Sequence, residues 1–430
     1  VRSPEGRIRF LSSGEPTTRP PRRAHPNGVS AEEVLMTAHT SLASPSATPA
    51  DTNAPLTSVR ADGLEGVVVA HTALSDVDGE RGRLVLGGHD VESLALRAGF
   101  EDALGLLLDG ALPDATRRAS IAAALGRARV RAFEGGAAGT HVTRAPGAMA
   151  ALRAALSALT IPSGSLEDEL VSLAGAAAVA LAAHGRALRD LAPVAPSASR
   201  THALDLLAML EPERPLAAAR ARALDSYLVT VSDHGLNAST FTARVVASTG
   251  ASLAAACVAG VGALEGPLHG GAPGPVLDML DAIGTADAAE AWLEAELLAG
   301  RRIMGMGHRI YRVRDPRAAV LERAIERLVA DGAITERLDL ARAVERAARA
   351  ALRERYPQRT LDTNVEFYTA VLLDAVGLPR ELFAATFANG RLLGWGAHVA
   401  EQRRVGRLVR PQSVYVGPRL AEPPLGSTQR

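Results

Sequence analysis

At 430 residues the chain is too long for one compact core and is expected to hold two domains, with most of its unfolded surface buried on folding. Basic and acidic residues balance at 47 each, so no whole-chain field draws nucleic acid or an anionic membrane, and the one cysteine, Cys257, excludes an internal disulfide framework and fits a reducing, cytoplasmic location. Every basic residue is arginine, which excludes a lysine Schiff base, a pyridoxal anchor and a P-loop lysine, and leaves anion binding to guanidinium forks.

Residues 1–55 are rich in Pro, Ser, Thr and Arg, as in Pro20-Pro21-Arg22-Arg23, and are expected to be a disordered tail. They lack the apolar core of a secretory signal; Met36 is a candidate start, and an Arg-containing transit peptide is the weaker alternative. From Gly66 to His89, Val67-Val68-Val69, a turn at Asp76-Val77-Asp78-Gly79 and Leu84-Val85-Leu86 predict short strands or a hairpin. Beyond Asp90 the pattern is helical, as where Leu321, Ile325 and Leu328 alternate with Glu322, Arg323, Glu326 and Arg327. Breaks fall at Pro162-Ser163-Gly164, Pro193–Ser197, Pro212, Gly266-Pro267, Asp315-Pro316, Pro357 and Gly377-Leu378-Pro379. The apolar stretch Val171–Ala183 is too short to cross a bilayer and reads as a buried helix, so no transmembrane segment is expected. The fold class is all-α, with short N-terminal strands.

Four polar fragments interrupt this alanine- and leucine-rich chain: Asp233-His234-Gly235-Leu236-Asn237, Gly266-Pro267-Leu268-His269-Gly270-Gly271, Gly305-Met306-Gly307-His308 and Asn364-Val365-Glu366-Phe367-Tyr368. Three histidines and a carboxylate on glycine-marked breaks can form one acid/base site. His269 sits where proline stops a helix and glycines allow a ligand close to the backbone. His308 is followed by Arg309, Arg312, Arg314 and Arg317, a positive field for an anionic substrate or, alternatively, a solvated basic face. The other eight histidines read as structural or solvated.

In order and separation these fragments resemble the citrate synthase family, from about Gly63 to Gly417. The resemblance is carried by Gly63-Leu64-Glu65-Gly66-Val67, Asp233 to Phe241, Gly266 to Ala272, Gly307-His308-Arg309-Ile310-Tyr311-Arg312, Asp315-Pro316-Arg317, Phe387-Ala388-Asn389-Gly390-Arg391, Gly394-Trp395, Arg410-Pro411 and Tyr415-Val416-Gly417. It implies a large helical domain at 56–271 and 378–430 and a smaller, CoA-binding domain at 272–377 that closes over the substrates. The implied reaction condenses acetyl-CoA with oxaloacetate and hydrolyses the thioester to citrate and CoA, with the CoA thioester as co-substrate and neither metal nor permanently bound cofactor. A thioester methyl is a weak carbon acid and needs a positioned base and a partner for the enolate oxygen; the resemblance gives these roles to Glu366 and His269, with His308 polarising the ketone. It places His234, Arg317 and Arg391 on oxaloacetate and Arg312 on a CoA phosphate. It also brings Arg410 from a neighbouring subunit, implying a homodimer.

Three positions depart from the family pattern. Glu366 stands where most members carry aspartate, Pro273 where asparagine is common, and Leu86-Gly87-Gly88-His89 replaces Tyr-Arg-Gly-Tyr. The glutamate is similar to a bacterial branch called citrate synthase 2. A 2-methylcitrate synthase using propionyl-CoA and a non-catalytic metabolite-binding paralogue stay open as alternatives. A zinc hydrolase on His269, His308 and Glu366 lacks the usual ligand spacing.

Overall fold

The structure is a computed structural model and describes residues 63–417 apart from 65, 162–163, 214–217, 270–272 and 334–336. The expected tail, Met36, the Pro162-Ser163 break and Gly270-Gly271-Ala272 lie outside the described residues. Val67-Val68-Val69 forms no strand: Val67 closes a turn, its N–H donating to Leu64 O at 3.1 Å, and all three valines are exposed. β propensity without an apolar face to cover is not enough.

The hairpin is real but shifted. Strands β1 (Ser75–Asp78), β2 (Arg83–Leu86) and β3 (His89–Asp90) form an antiparallel meander in that order, with Ser75 opposite Leu86 and Asp78 opposite Arg83. Asp76, Val77 and Asp78 therefore belong to a strand, and the reversal falls at 79–82. There Asp78 Oδ1 accepts the Arg81 N–H at 2.9 Å and Gly82 takes a φ of +63°, open to glycine at little cost. Leu84 and Leu86 alternate inward with Arg83 outward, which pins the register.

Sixteen α-helices follow among the described residues: α1 (Val91–Ala95), α2 (Phe100–Asp109), α3 (Ala115–Ala132), α4 (Thr140–Thr143), α5 (Ala148–Ala158), α6 (Leu166–Ala187), α7 (His202–Leu210), α8 (Ala218–Thr230), α9 (Ala238–Ser248), α10 (Leu253–Glu265), α11 (Pro273–Ile283), α12 (Ala289–Leu298), α13 (Pro316–Ala330), α14 (Arg337–Arg355), α15 (Val365–Ala375) and α16 (Phe383–Val405). Their starts are chemically marked. Ser165 and Asp168 form a capping box on α6, Asn237 caps α9, Ser252 caps α10, Asp315 caps α13 ahead of Pro316, and Asn364 caps α15. Each such cap contributes about 1 kcal/mol.

Helices α6 and α16 are the buried centre. At 22 residues α6 is long and apolar enough to cross a bilayer, so length does not decide its role as the sequence suggested; 94% of its apolar window is buried inside the protein. Helix α16 is buried along most of its length, and glycines let it approach its neighbours. A Cβ on Gly394 would lie 2.3 Å from Ser232 O, and the Gly394 N–H donates to that oxygen at 3.1 Å. This contact seats α16 against the turn that carries His234.

Candidate active site

His234 lies on the turn between α8 and α9, where Gly235 has a φ of +59°. The preceding Asp233 is fully buried and receives Ser75 Oγ–H at 2.6 Å and His398 Nε2 at 3.3 Å. His234 Nε2 meets Tyr311 Oη at 3.0 Å, and the His234 and His308 rings face each other edge-on with centroids 5.8 Å apart. His308 Nδ1 accepts the N–H groups of Ile310 and Tyr311, both at 3.0 Å. Those two unambiguous donors assign the neutral tautomer with its proton on Nε2. That Nε2–H stands 3.4 Å from Arg317 Nη2, donor against donor, a pairing that an anionic oxygen between them would convert into two attractions.

Arg317 is aimed by Asp315, which takes Nε at 3.0 Å and Nη2 at 2.7 Å. Asp315 also accepts the Val365 N–H at 3.2 Å, tying the start of α13 to the start of α15. Asn364 is the second tie: its Oδ1 accepts the Glu366 N–H at 3.0 Å while its Nδ2 donates to Gly307 O at 2.9 Å. The loop of His308 and the first turn of Glu366 are therefore one piece. Gly305 permits this at a φ of +73°, since a Cβ there would lie 2.8 Å from Phe367 Cβ.

His269 reaches the same region from the break after α10. Its Nε2 lies 2.9 Å from Ser239 Oγ and accepts the Ser239 N–H at 3.3 Å, leaving the ring proton on Nδ1. Ser239 Oγ in turn receives Trp395 Nε1–H at 3.3 Å. Arg391, only 1% exposed, donates Nε–H to Val231 O at 2.6 Å and lies over the Phe387 ring at 4.8 Å. Its Nη2 is buried without a hydrogen-bond partner among the described residues, and its charge bears on the buried carboxyls of Asp233 and Glu366.

The electrostatics follow from burial around two guanidinium groups. Burial, then the charge of Arg391, holds His269 down to about 4; burial, then Arg317, holds His308 down to about 4. Burial with Arg317 and Arg391 keeps His234 well below the usual histidine range. All three are neutral at pH 7 and can each donate one hydrogen bond. Burial pushes Glu366 up to about 7 although Arg317 and Arg391 pull it down, and its Oε2 is buried with no partner among the described residues. Burial lowers Arg391 to about 10, still charged at neutral pH. A carboxyl near neutrality beside neutral imidazoles can remove a proton from a weak carbon acid and supply donors to the oxygen that becomes negative.

The structure thus brings His234, His269, His308, Glu366, Arg317 and Arg391 into one electrostatic neighbourhood. The positive field expected after His308 is smaller than the arginine count implies, because Glu322 and Glu345 take Arg314 and Asp315 takes Arg317. Arg312 is exposed, with its N–H on Gly79 O at 2.9 Å and its charge among those that lower His308, and Arg410 is exposed beyond α16. The sequence reading missed Tyr311, Ser239, Asp315 and Asn364 as supports. Asn364 lies in one of the four polar fragments and the other three in the motifs that carry the resemblance, yet their roles are bonds between separate segments, which spacing does not reveal.

A helical scaffold that buries a guanidinium with an unbonded Nη2 among neutral histidines and a carboxyl poised near pH 7 defines a class, that of acid–base sites for small anions. The chain belongs to the citrate synthase family: the family described as "Citrate synthase, C-terminal domain" matches residues 63–412. It is 53% identical over 196 residues to "Putative citrate synthase 2" of Mycobacterium tuberculosis, a match covering 46% of this chain and 51%, about half, of that relative. It is 36% identical over 370 residues to the citrate synthase of Haloferax volcanii, covering 83% of this chain and 95% of the relative. Among solved structures it is similar to a ternary complex of citrate synthase from the archaeon Thermoplasma acidophilum with carboxymethyl coenzyme A and oxaloacetate, at a TM-score of 0.74 and 25% identity, covering 84% of this chain and 97% of that one. The all-α fold expected from the sequence is the fold of these relatives.

Proposed function

We propose that this chain is a citrate synthase, condensing acetyl-CoA with oxaloacetate and hydrolysing the thioester to citrate and CoA. The observation that carries the reading is Arg391, a buried guanidinium whose Nη2 has no hydrogen-bond partner among the described residues, while Asp233 and Glu366 act on its charge through space. A buried donor left without an acceptor is costly, so the site suits an anion that supplies one. Arg317, near enough to act on its charge, adds a second guanidinium, which suits a dicarboxylate.

Glu366 takes a proton from the thioester methyl while His269 Nδ1–H bonds the thioester oxygen. The enolate carbon attacks the ketone of oxaloacetate, and His308 Nε2–H gives its proton to the new alkoxide. His234, steadied by Tyr311, donates to the dicarboxylate. Water then cleaves the C–S bond, one proton going to the departing thiolate. In this reading Arg410 completes the pocket of a second subunit in a homodimer, and Arg312 meets a CoA phosphate. The buried Cys257 fits a cytoplasmic enzyme.

The test is thiol release with oxaloacetate and a panel of acyl-CoAs. A kcat/KM preference for acetyl-CoA over propionyl-CoA is expected; one methylene discriminates by about 1–3 kcal/mol. The reverse preference makes this a 2-methylcitrate synthase, and calorimetric oxaloacetate binding without release from any acyl-CoA makes it a non-catalytic binder. Residues 272–377 are proposed as the small domain, which closes to exclude water from the enolate. Saturating oxaloacetate is then expected to reduce the radius of gyration in small-angle scattering; an unchanged radius overturns closure.

A further inference from the structure

The strand meander packs Leu84 and Leu86 into the core, and β1 touches both histidine-bearing loops. At its start, Ser75 donates Oγ–H to Asp233 Oδ2 at 2.6 Å and accepts the Gly235 N–H at 2.8 Å, so both neighbours of His234 hang on one hydroxyl. Just past its end, Gly79 O accepts the Arg312 N–H at 2.9 Å, and a Cβ on Gly79 would stand 2.5 Å from Ile310 O. Ile310 and Tyr311 are the residues whose N–H groups fix the His308 tautomer, and Tyr311 also carries the hydroxyl that meets His234. The turn that follows is fitted just as closely: a Cβ on Gly82 would lie 2.5 Å from Val313 Cγ2.

We propose that β1 is a splint and that Ser75 and Gly79 are positioning residues, holding His234 and His308 at the separation that binds the keto dicarboxylate. For the identity of the ligand this rests on the function proposed above. An extended strand has a fixed rise of about 3.3 Å per residue and does not stretch, unlike a loop. Pairing with β2 keeps it straight, and the Asp78–Arg81 turn contact keeps its far end in place. The Tyr311–His234 bond forms only while the two loops keep this spacing. A shift of about 1 Å at either histidine can cost on the order of a hundredfold in rate.

The test compares Ser75→Ala, Ser75→Thr, Gly79→Ala and, as a control on the exposed face of the same hairpin, Arg83→Ala. Calorimetric Kd for oxaloacetate, the KM of each substrate, kcat and Tm are measured on the full chain. Ser75→Ala is expected to raise Kd and KM for oxaloacetate about tenfold while KM for acetyl-CoA stays within about twofold. Ser75→Thr, which keeps the hydroxyl, restores both, and Arg83→Ala changes neither. Gly79→Ala, which pushes on Ile310, raises oxaloacetate KM and lowers kcat. The splint is overturned if Ser75→Ala leaves Kd unchanged, or lowers only kcat and Tm as a loss of folded protein would. A wild-type chain that binds oxaloacetate but releases no CoA refutes the proposed reaction, and the calorimetric comparison still decides the splint. A wild type that does not bind oxaloacetate refutes both.

Discussion

Glu366→Gln is expected to lower thiol release by roughly a thousandfold, the scale of a lost general base, while oxaloacetate affinity changes by no more than about twofold. Glutamine keeps the shape and removes only the basic oxygen, and its neighbours stay tied through Asn364 and Asp315. With a carboxyl pushed up to about 7, kcat/KM for acetyl-CoA should rise with pH through about 7 and level off above it. Bound oxaloacetate adds negative charge and occupies the two arginines that lower this pKa, so the profile at saturating oxaloacetate should move to higher pH. Stability runs the other way. Because the folded carboxyl holds its proton up to about 7 and the unfolded one releases it near 4.5, the folded state binds more protons between these values, and stability falls as pH rises through that window. That rise corresponds to on the order of 3 kcal/mol against the ionised form. Glu366→Gln should therefore have a higher Tm than wild type above pH 7 and about the same Tm at pH 4. An undiminished rate removes Glu366 from the mechanism.

The glutamate itself shows how far the sequence reading reached. Its extra methylene relative to aspartate adds roughly 1.5 Å of reach, and nothing in the chain order says whether the backbone compensates. In the structure its helix start is pinned twice, by Asn364 to Gly307 O and by Asp315 to Val365 N, so the base is held against the same loop as His308. The helical fold was legible because cap residues and prolines mark the ends of apolar runs, as at Asp315-Pro316 and Asn364. The meander was misplaced because Asp and Gly signal a turn but do not say which of four residues turns; the Asp78 side chain accepting from Arg81 N moved it three residues on. Ser75 carried no sequence signal at all. Its partners are about 160 residues away, and a hydroxyl on a short edge strand looks like any other.

Arg391→Met should separate binding from stability. Two charge-assisted hydrogen bonds to a carboxylate, at about 1.5–3 kcal/mol each, correspond to a loss of roughly a hundredfold or more in oxaloacetate affinity. In most proteins removing a buried arginine is costly because its carboxylate partner is stranded. Here the carboxyls of Asp233 and Glu366 act on the guanidinium through space, and the bonded acceptor that is stranded is Val231 O. Methionine has a similar length and can pack on Phe387, so relief from burying the guanidinium is expected to offset the lost hydrogen bond and the lost attraction to Asp233, leaving Tm in the absence of ligand close to that of wild type. Removing this charge also removes a force that lowers the pKa of His269, His234 and Glu366, so all three should titrate at higher pH in the variant. Oxaloacetate should raise the wild-type Tm in proportion to the logarithm of its concentration and move the variant only at roughly hundredfold higher concentrations. A variant whose Tm climbs over the same oxaloacetate concentrations as wild type would show that the anion is held elsewhere, and Arg391 would lose its place as the group that binds it.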